Sequence, residues 1–216
     1  MTSRRRDCCA YFSALSLAWA APGFAEAAAT KPAPLVLVVG DSLSAEYGLA
    51  RGQGWVALLE QRLKEKQLPQ QVLNASISGD TTAGGRARLG ALLQQHKPKV
   101  VIIELGGNDA LRGLPLASSH ENLTAMTRAA KAAGARVLLL GMQVPPNYGA
   151  SYGREFAGLF ERVAKAEKVA LVPFLLKGVA DRPDALDWFQ PDRIHPQAKA
   201  HPVMLELVWP NLRPLL

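Results

Sequence analysis

Leu35-Val36-Leu37-Val38-Val39-Gly40-Asp41-Ser42-Leu43-Ser44 is the stretch that sets the fold class of this chain. Leu35–Val39 is a short, fully apolar run. Such a run reads as a strand covered on both faces, because a half-solvated strand would alternate with polar residues. Gly40 permits a tight turn at its end. Ser42 follows the strand by two residues, close to where a helix N-terminus would present N–H groups that favour developing negative charge.

Outward from this stretch, apolar runs alternate with helix-period segments. Gly52–Lys66 places Trp55, Leu58, Leu59 and Leu63 on one helical face. Val72–Ala75 reads as a second strand, Ala83–His96 as a helix ended by Pro98, and Val100–Leu105 as a third strand. His120–Ala133 is a helix stopped by Gly134, and Arg136–Met142 a fourth strand. Glu155–Lys168 is a helix with Phe156, Leu159, Phe160 and Val163 inward; Val169–Val172 is a fifth strand, and a last helix runs from about Gln197 to the tail. Five strand–helix alternations imply an α/β fold, a parallel sheet with helices on both faces. Ligands of such sheets bind at the carboxyl ends of the strands, near a switch in strand order.

Residue types with chemistry to offer gather at those ends. The first strand is followed by Ser42. The second leads into Ser76-Ile77-Ser78-Gly79-Asp80, where Gly79 lets a backbone N–H approach a ligand closely. The third leads into Gly106-Gly107-Asn108-Asp109, where Asn108 offers an amide donor. After the fifth comes Asp192-Arg193-Ile194-His195-Pro196, with Asp and His three apart before a helix. The constellation suits acyl transfer. Ser42 would attack a carbonyl carbon, His195 would take and return the proton, and Asp192 would fix the imidazole tautomer. The N–H groups of Ser42 and Gly79 and the Asn108 amide would surround the oxyanion. Each string alone has a plain explanation as a turn or a helix start; four of them falling after strands of one sheet does not.

These strings carry a resemblance. With Asn74–Thr81, Glu104–Asp109, Pro146-Asn147-Tyr148-Gly149 and Ile194-His195-Pro196, the sequence resembles the SGNH (GDSL) hydrolases, in particular the bacterial periplasmic thioesterase I / lysophospholipase L1 / arylesterase group. The resemblance implies a three-layer α/β/α, flavodoxin-like fold with a five-stranded sheet, no cofactor, and hydrolysis of acyl esters and thioesters. It places the family's Ser, Gly, Asn, Asp and His on Ser42, Gly79, Asn108, Asp192 and His195. Glu46 and Arg193 stand where many relatives carry Gly, which bears on substrate preference and removes no catalytic group.

A second serine, in Gly149-Ala150-Ser151-Tyr152-Gly153, matches Gly-x-Ser-x-Gly, but that elbow needs a strand directly before it, and Pro145-Pro146-Asn147-Tyr148 reads as a turn. Gln143–Tyr152 is instead expected to be a loop flanking an acyl groove, with Val144, Pro145, Pro146 and Tyr148 as substrate contacts. His96, His120 and His201 show no metal-ligand spacing and read as ordinary helix or surface residues; no metal is expected. Asp41 and Asp109 are expected to hold their loops by local hydrogen bonds. Two other functions use the same fold: a non-catalytic acyl-lipid binder, against which the presence of all five chemical residues counts, and a carbohydrate deacetylase, for which no aromatic sugar platform is visible.

The 216 residues suffice for one domain, and 49% hydrophobic with 20% charged residues is ordinary globular composition. Arg4-Arg5-Arg6, the uncharged run Ala10–Ala21 and small residues at Ala25 and Ala27 read as a secretory signal. Twelve apolar residues span ~18 Å of helix against a ~30 Å hydrocarbon core, too short for a stable membrane anchor. Residues 1–25 are therefore expected to be a signal peptide and 26–216 a single hydrolase domain, exported to the periplasm and monomeric. Its loss would leave Lys+Arg 22 and Asp+Glu 17, a net charge of +5, and take both cysteines, Cys8 and Cys9, with it. The dense arginines lie in the signal, so nothing points to nucleic acid.

Overall fold

The structure, a computed structural model, describes residues 33–216. The signal peptide expected over residues 1–25 lies outside the described residues. Five strands, β1 (Leu35–Gly40), β2 (Gln71–Asn74), β3 (Val100–Glu104), β4 (Arg136–Leu140) and β5 (Ala170–Val172), pair in parallel in the order β2-β1-β3-β4-β5. The chain steps from β1 outward to β2, then back across β1 to β3 and onward. Right-handed crossovers put the helix of a step on a face set by the step's direction. The first connection, α1 (Trp55–Glu65), therefore lies opposite α2 (Thr82–His96), α4 (Leu116–Ala132) and α5 (Ala150–Glu167). The packing agrees: α1 packs on α6 (His201–Leu212), while α4 packs between α2 and α5. This is the expected flavodoxin-like three-layer arrangement, and its switch point falls between β1 and β3.

Burial follows strand order. Val36–Val39, Val100–Ile103 and Leu138–Leu140 are buried on both faces, as their unbroken aliphatic runs imply. β2, at an edge, is half-exposed, and Gln71 and Asn74 face solvent. Trp55, Leu59 and Leu63 form the buried stripe of α1, and Phe156, Leu159, Phe160 and Val163 that of α5, as their spacing predicts.

Several boundaries differ from the sequence reading. α1 begins at Trp55 rather than Gly52, because Gly52 has φ +89° and cannot enter a right-handed helix. α4 begins at Leu116, four residues before His120, directly after Pro115, whose fixed φ of −59° suits a helix entrance. The expected loop Gln143–Tyr152 ends early. A short 3-10 turn at Pro146–Tyr148 leads through Gly149, at φ +87°, into α5 at Ala150. Ser151 therefore sits exposed in the first turn of a helix, eleven residues beyond the end of β4, and lacks the strand that a nucleophile elbow needs. A short helix unseen in the sequence, α3 (Gly107–Leu111), follows β3.

His201 corrects another expectation. It is buried, at 2% exposure, and its Nδ1 accepts the Trp55 backbone N–H at 3.0 Å, joining the start of α6 to the start of α1. Burial pushes its pKa from 6.5 down to about 4, so the native state holds it neutral. A depressed histidine pKa contributes stability above the unfolded value that is lost as pH falls toward the folded one. Linkage puts the loss at about 2 kcal/mol between about pH 7.5 and 5. Urea denaturation of the parent and His201→Gln at both pH values should show the parent losing about that much more than the variant. Equal losses would mean that His201 is not the group titrating.

Candidate active site

Ser42 sits in the turn after β1, and His195 reaches it from the loop before α6. The Ser42 hydroxyl and His195 Nε2 are 2.9 Å apart, and His195 Nδ1 is 2.7 Å from Asp192 Oδ2. The other oxygen of Asp192 accepts the backbone N–H groups of Ile194 and His195, at 2.9 and 3.0 Å. The loop closes on itself: Gln190 N–H donates to His195 O at 2.7 Å and Arg193 N–H to Gln190 O at 2.9 Å. Desolvation pushes the Asp192 carboxyl up, but the two backbone N–H groups and the imidazole outweigh it and hold its pKa at about 2. Asp192 is thus ionised throughout the neutral range. A hydroxyl, an imidazole and a carboxylate so linked can move one proton off the hydroxyl as it attacks.

The strand ends bring the remaining sequence-predicted groups to the same place. Ile77 N–H donates to Gly40 O at 3.0 Å, which lays the loop after β2 beside the Ser42 turn. Gly79 in that loop has φ +79°, a left-handed conformation that suits glycine, and the Arg112 guanidinium donates to its carbonyl at 2.8 Å. Arg112 is the C-cap of α3, the helix that carries Asn108, so one side chain joins the two loops. Gly106, at φ +121°, suits glycine: a Cβ there would be strained and would lie 3.2 Å from the Phe160 ring. Ser42, Gly79, Asn108 and His195 are each half-buried, open to solvent on one side.

Two carboxyl groups beneath this surface were not read as functional. Asp41 is buried, and its oxygens accept Leu43 N–H and the Asn108 side-chain amide, both at 3.0 Å. Its hold on Asn108 is not local: it crosses from the β1 turn to the β3 turn. Glu104, at the end of β3 and fully buried, accepts the Ser44 hydroxyl at 2.8 Å and the Asp41 N–H at 3.3 Å. Burial, first, and the Asp41 charge raise Glu104 well above the carboxylate range, while burial lifts Asp41 to about 6. Of the two, Glu104 is the one biased toward its neutral form. A charged residue ending the aliphatic run Val100–Ile103 was the available sequence signal.

Asp109 likewise works at longer range than expected. It accepts Thr82 N–H at 2.9 Å, the Thr82 hydroxyl, and the Ser119 hydroxyl at 3.0 Å, joining α3 to α2 and α4. Arg88 of α2 binds Asp80 at 2.8 Å, the Ala75 carbonyl, and the Gly40 carbonyl at 3.4 Å, closing the end of β1 against that of β2.

The expected acyl-contact residues are less directly placed. Val144, Pro145 and Pro146 line a surface groove of about 370 Å³ together with the start of α5, and neither Ser42 nor His195 is part of its wall. Tyr148 is 36% exposed and stacks on Tyr152 at 6.2 Å. Tyr152 stacks on Phe156, and Phe156 meets Phe160 edge-on. This row of rings leads from the surface at Tyr148 to Gly106. Glu46 and Arg193 both have positive φ, 59° and 60°, a conformation that favours glycine. Among the described residues no helix is long and apolar enough to cross a membrane.

A 2-1-3-4-5 parallel sheet with a Ser–His–Asp hydrogen-bond chain at its carboxyl edge is the frame of an α/β hydrolytic enzyme. Residues 38–203 match the GDSL-like lipase/acylhydrolase family, and the chain belongs to it; it is an enzyme, a hydrolase. It is similar to Esterase TesA of Pseudomonas aeruginosa, 54% identical over 184 residues, 85% of this chain and 90% of that protein. It is similar also to thioesterase 1/protease 1/lysophospholipase L1 of Escherichia coli, 41% identical over 184 residues, 85% of this chain and 86% of that one. A crystal structure of TesA superposes with a TM-score of 0.81 at 54% identity, over 84% of this chain and 99% of that chain.

The buried carboxyl pair generates a stability prediction. Glu104→Leu strands the Ser44 hydroxyl and the Asp41 N–H and should cost about 2–3 kcal/mol. Glu104→Gln is uncharged like a neutral carboxyl and keeps an acceptor for the Ser44 hydroxyl and the Asp41 N–H, and should cost less than about 1 kcal/mol. Urea titration of both variants checks this; Gln as damaging as Leu would contradict a protonated Glu104.

Proposed function

We propose that this hydrolase cleaves acyl esters and thioesters, of arylesterase, acyl-CoA thioesterase and lysophospholipase type, with Ser42 as nucleophile. The observation that carries the reading is the chain from Asp192 through His195 to Ser42, at 2.7 and 2.9 Å. In acylation, Ser42 Oγ bonds to the carbonyl carbon as its proton passes to His195 Nε2. The C–O or C–S bond to the leaving group then breaks, and the imidazolium returns the proton to the leaving atom. In deacylation, water repeats the sequence, its proton passing to His195 and then to Ser42, and the acid departs. Asp192 keeps Nδ1 as the protonated nitrogen and offsets the imidazolium charge.

The Ser42 and Gly79 N–H groups and the Asn108 amide are the proposed oxyanion donors. With one amide proton engaged by Asp41, the second of Asn108 remains free for the oxyanion. The aromatic row behind Tyr148 and the loop residues Val144, Pro145 and Pro146 are the proposed acyl contacts. We propose further that residues 1–25 direct export to the periplasm. The names of the two relatives, an esterase and a thioesterase/lysophospholipase, support the substrate classes.

On p-nitrophenyl esters, Ser42→Ala and His195→Ala should each lower turnover by roughly a million-fold. Asp192→Asn should cost on the order of ten thousand-fold through the wrong tautomer, and Asn108→Ala about a hundred- to a thousand-fold. Steady-state assay of the four variants tests the assignments. Retained activity in Ser42→Ala removes the nucleophile, and near-parent activity in Asn108→Ala removes the oxyanion role.

A further inference from the structure

His195 returns its proton to the leaving atom, so the leaving group must lie on the His195 side of Ser42, away from Gly79 and Asn108. The side chain that flanks the imidazole there is Tyr47. Its ring centroid is 4.3 Å from that of His195, at an interplanar angle of 38°, and half of the residue remains exposed.

Tyr47 is held in that position by the fold. The Gln190 amide donates to its carbonyl at 2.9 Å and to the Pro196 carbonyl at 3.1 Å, fastening the Tyr47 loop to the His195 loop. On its other side, Glu46 sits in the left-handed region, where glycine fits best, and its carboxylate accepts Gly52 N–H at 3.0 Å and Gly54 N–H at 2.7 Å. Those bonds close the loop that displays Tyr47 and offset the backbone cost at Glu46. Two further large apolar residues stand exposed on neighbouring turns: Ile194 beside His195, at 45%, and Ile77, whose N–H is bonded to Gly40 O, at 53%.

We propose that Tyr47 is a specificity residue for the leaving group. Its free face, on the His195 side with Ile194, forms an apolar wall that favours aromatic alcohols and thiols over short alkanols as leaving groups. Phenols and naphthols stack on such a ring, while short alkanols gain little from it. This inference rests on Ser42 and His195 acting as proposed above. It also separates the two half-reactions. The leaving group is present only in acylation, whereas His195 serves both, so Tyr47 acting through contact with the leaving group affects the first step alone.

The test uses 2-naphthyl and 2,2,2-trifluoroethyl butyrate, which yield the same butyryl-enzyme, with the parent, Tyr47→Ala and Tyr47→Phe. Rapid-quench kinetics give acylation and deacylation separately. Tyr47→Ala should lower kcat/KM for the naphthyl ester roughly three- to tenfold more than for the trifluoroethyl ester. Acylation by the naphthyl ester should fall by that same factor relative to deacylation, and Tyr47→Phe should restore both ratios. An equal loss with both esters and in deacylation would mean that Tyr47 merely braces His195, and would overturn the proposal. So would no loss at all. A parent protein that forms no butyryl-enzyme would instead overturn the Ser42 reading on which this one stands.

Discussion

The turn that presents Ser42 is held from beneath by two buried carboxyl groups, Asp41 and Glu104. Glu104, rising at the end of β3, accepts from the Asp41 backbone and the Ser44 hydroxyl, and Asp41 in turn holds the Asn108 amide. The interaction is reciprocal: the β3 strand fixes the β1 turn, and the β1 turn fixes the β3 turn. Burial and the neighbouring Asp41 charge bias Glu104 toward its neutral form, which lowers the cost of burying two acids together. Trp55, whose indole N–H donates to the Ser44 hydroxyl at 3.2 Å, extends the same network into α1.

The sheet order explains why this network exists where it does. At the switch between β1 and β3 the connecting helices leave in opposite directions, and a crevice opens that no helix covers. Turns at neighbouring strand ends then stand side by side, and polar groups from residues about sixty positions apart meet. Arg88 and Asp109 extend the ties to β2 and to α4, so every loop bearing a proposed catalytic group has a buried or half-buried polar anchor. The open side is apolar, with Tyr47 near His195 and Tyr148 at the end of an aromatic row.

The sheet was legible because β1, β3 and β4 carry long aliphatic runs, and Ser42, Gly79 and Asn108 because they fall within a few residues of strand ends. Ser42, Asp192 and His195, read from spacing alone, do meet in one hydrogen-bond chain. Helix starts were less legible: α4 and α5 begin four and five residues early, where Pro115 and Gly149 set a backbone angle that hydrophobic period does not encode. Long-range polar contacts were not legible either. Nothing in the local sequence distinguishes His201, buried against Trp55 N–H, from an exposed histidine at a helix start. Asp41 and Asp109 gave the right role, fastening loops, but their partners lie across the fold. Glu46 and Arg193, expected from the resemblance to depart from glycine, both hold the positive φ that glycine adopts most easily.

The central claim is that Ser42 becomes covalently acylated. The most direct measurement is mass spectrometry of the protein quenched during turnover of a slowly deacylated p-nitrophenyl ester, followed by peptide mapping. The account predicts one acyl group per chain, on Ser42, and none when His195 is replaced by Ala. An adduct on Ser151, or turnover with no adduct under conditions where deacylation is slow, would contradict it.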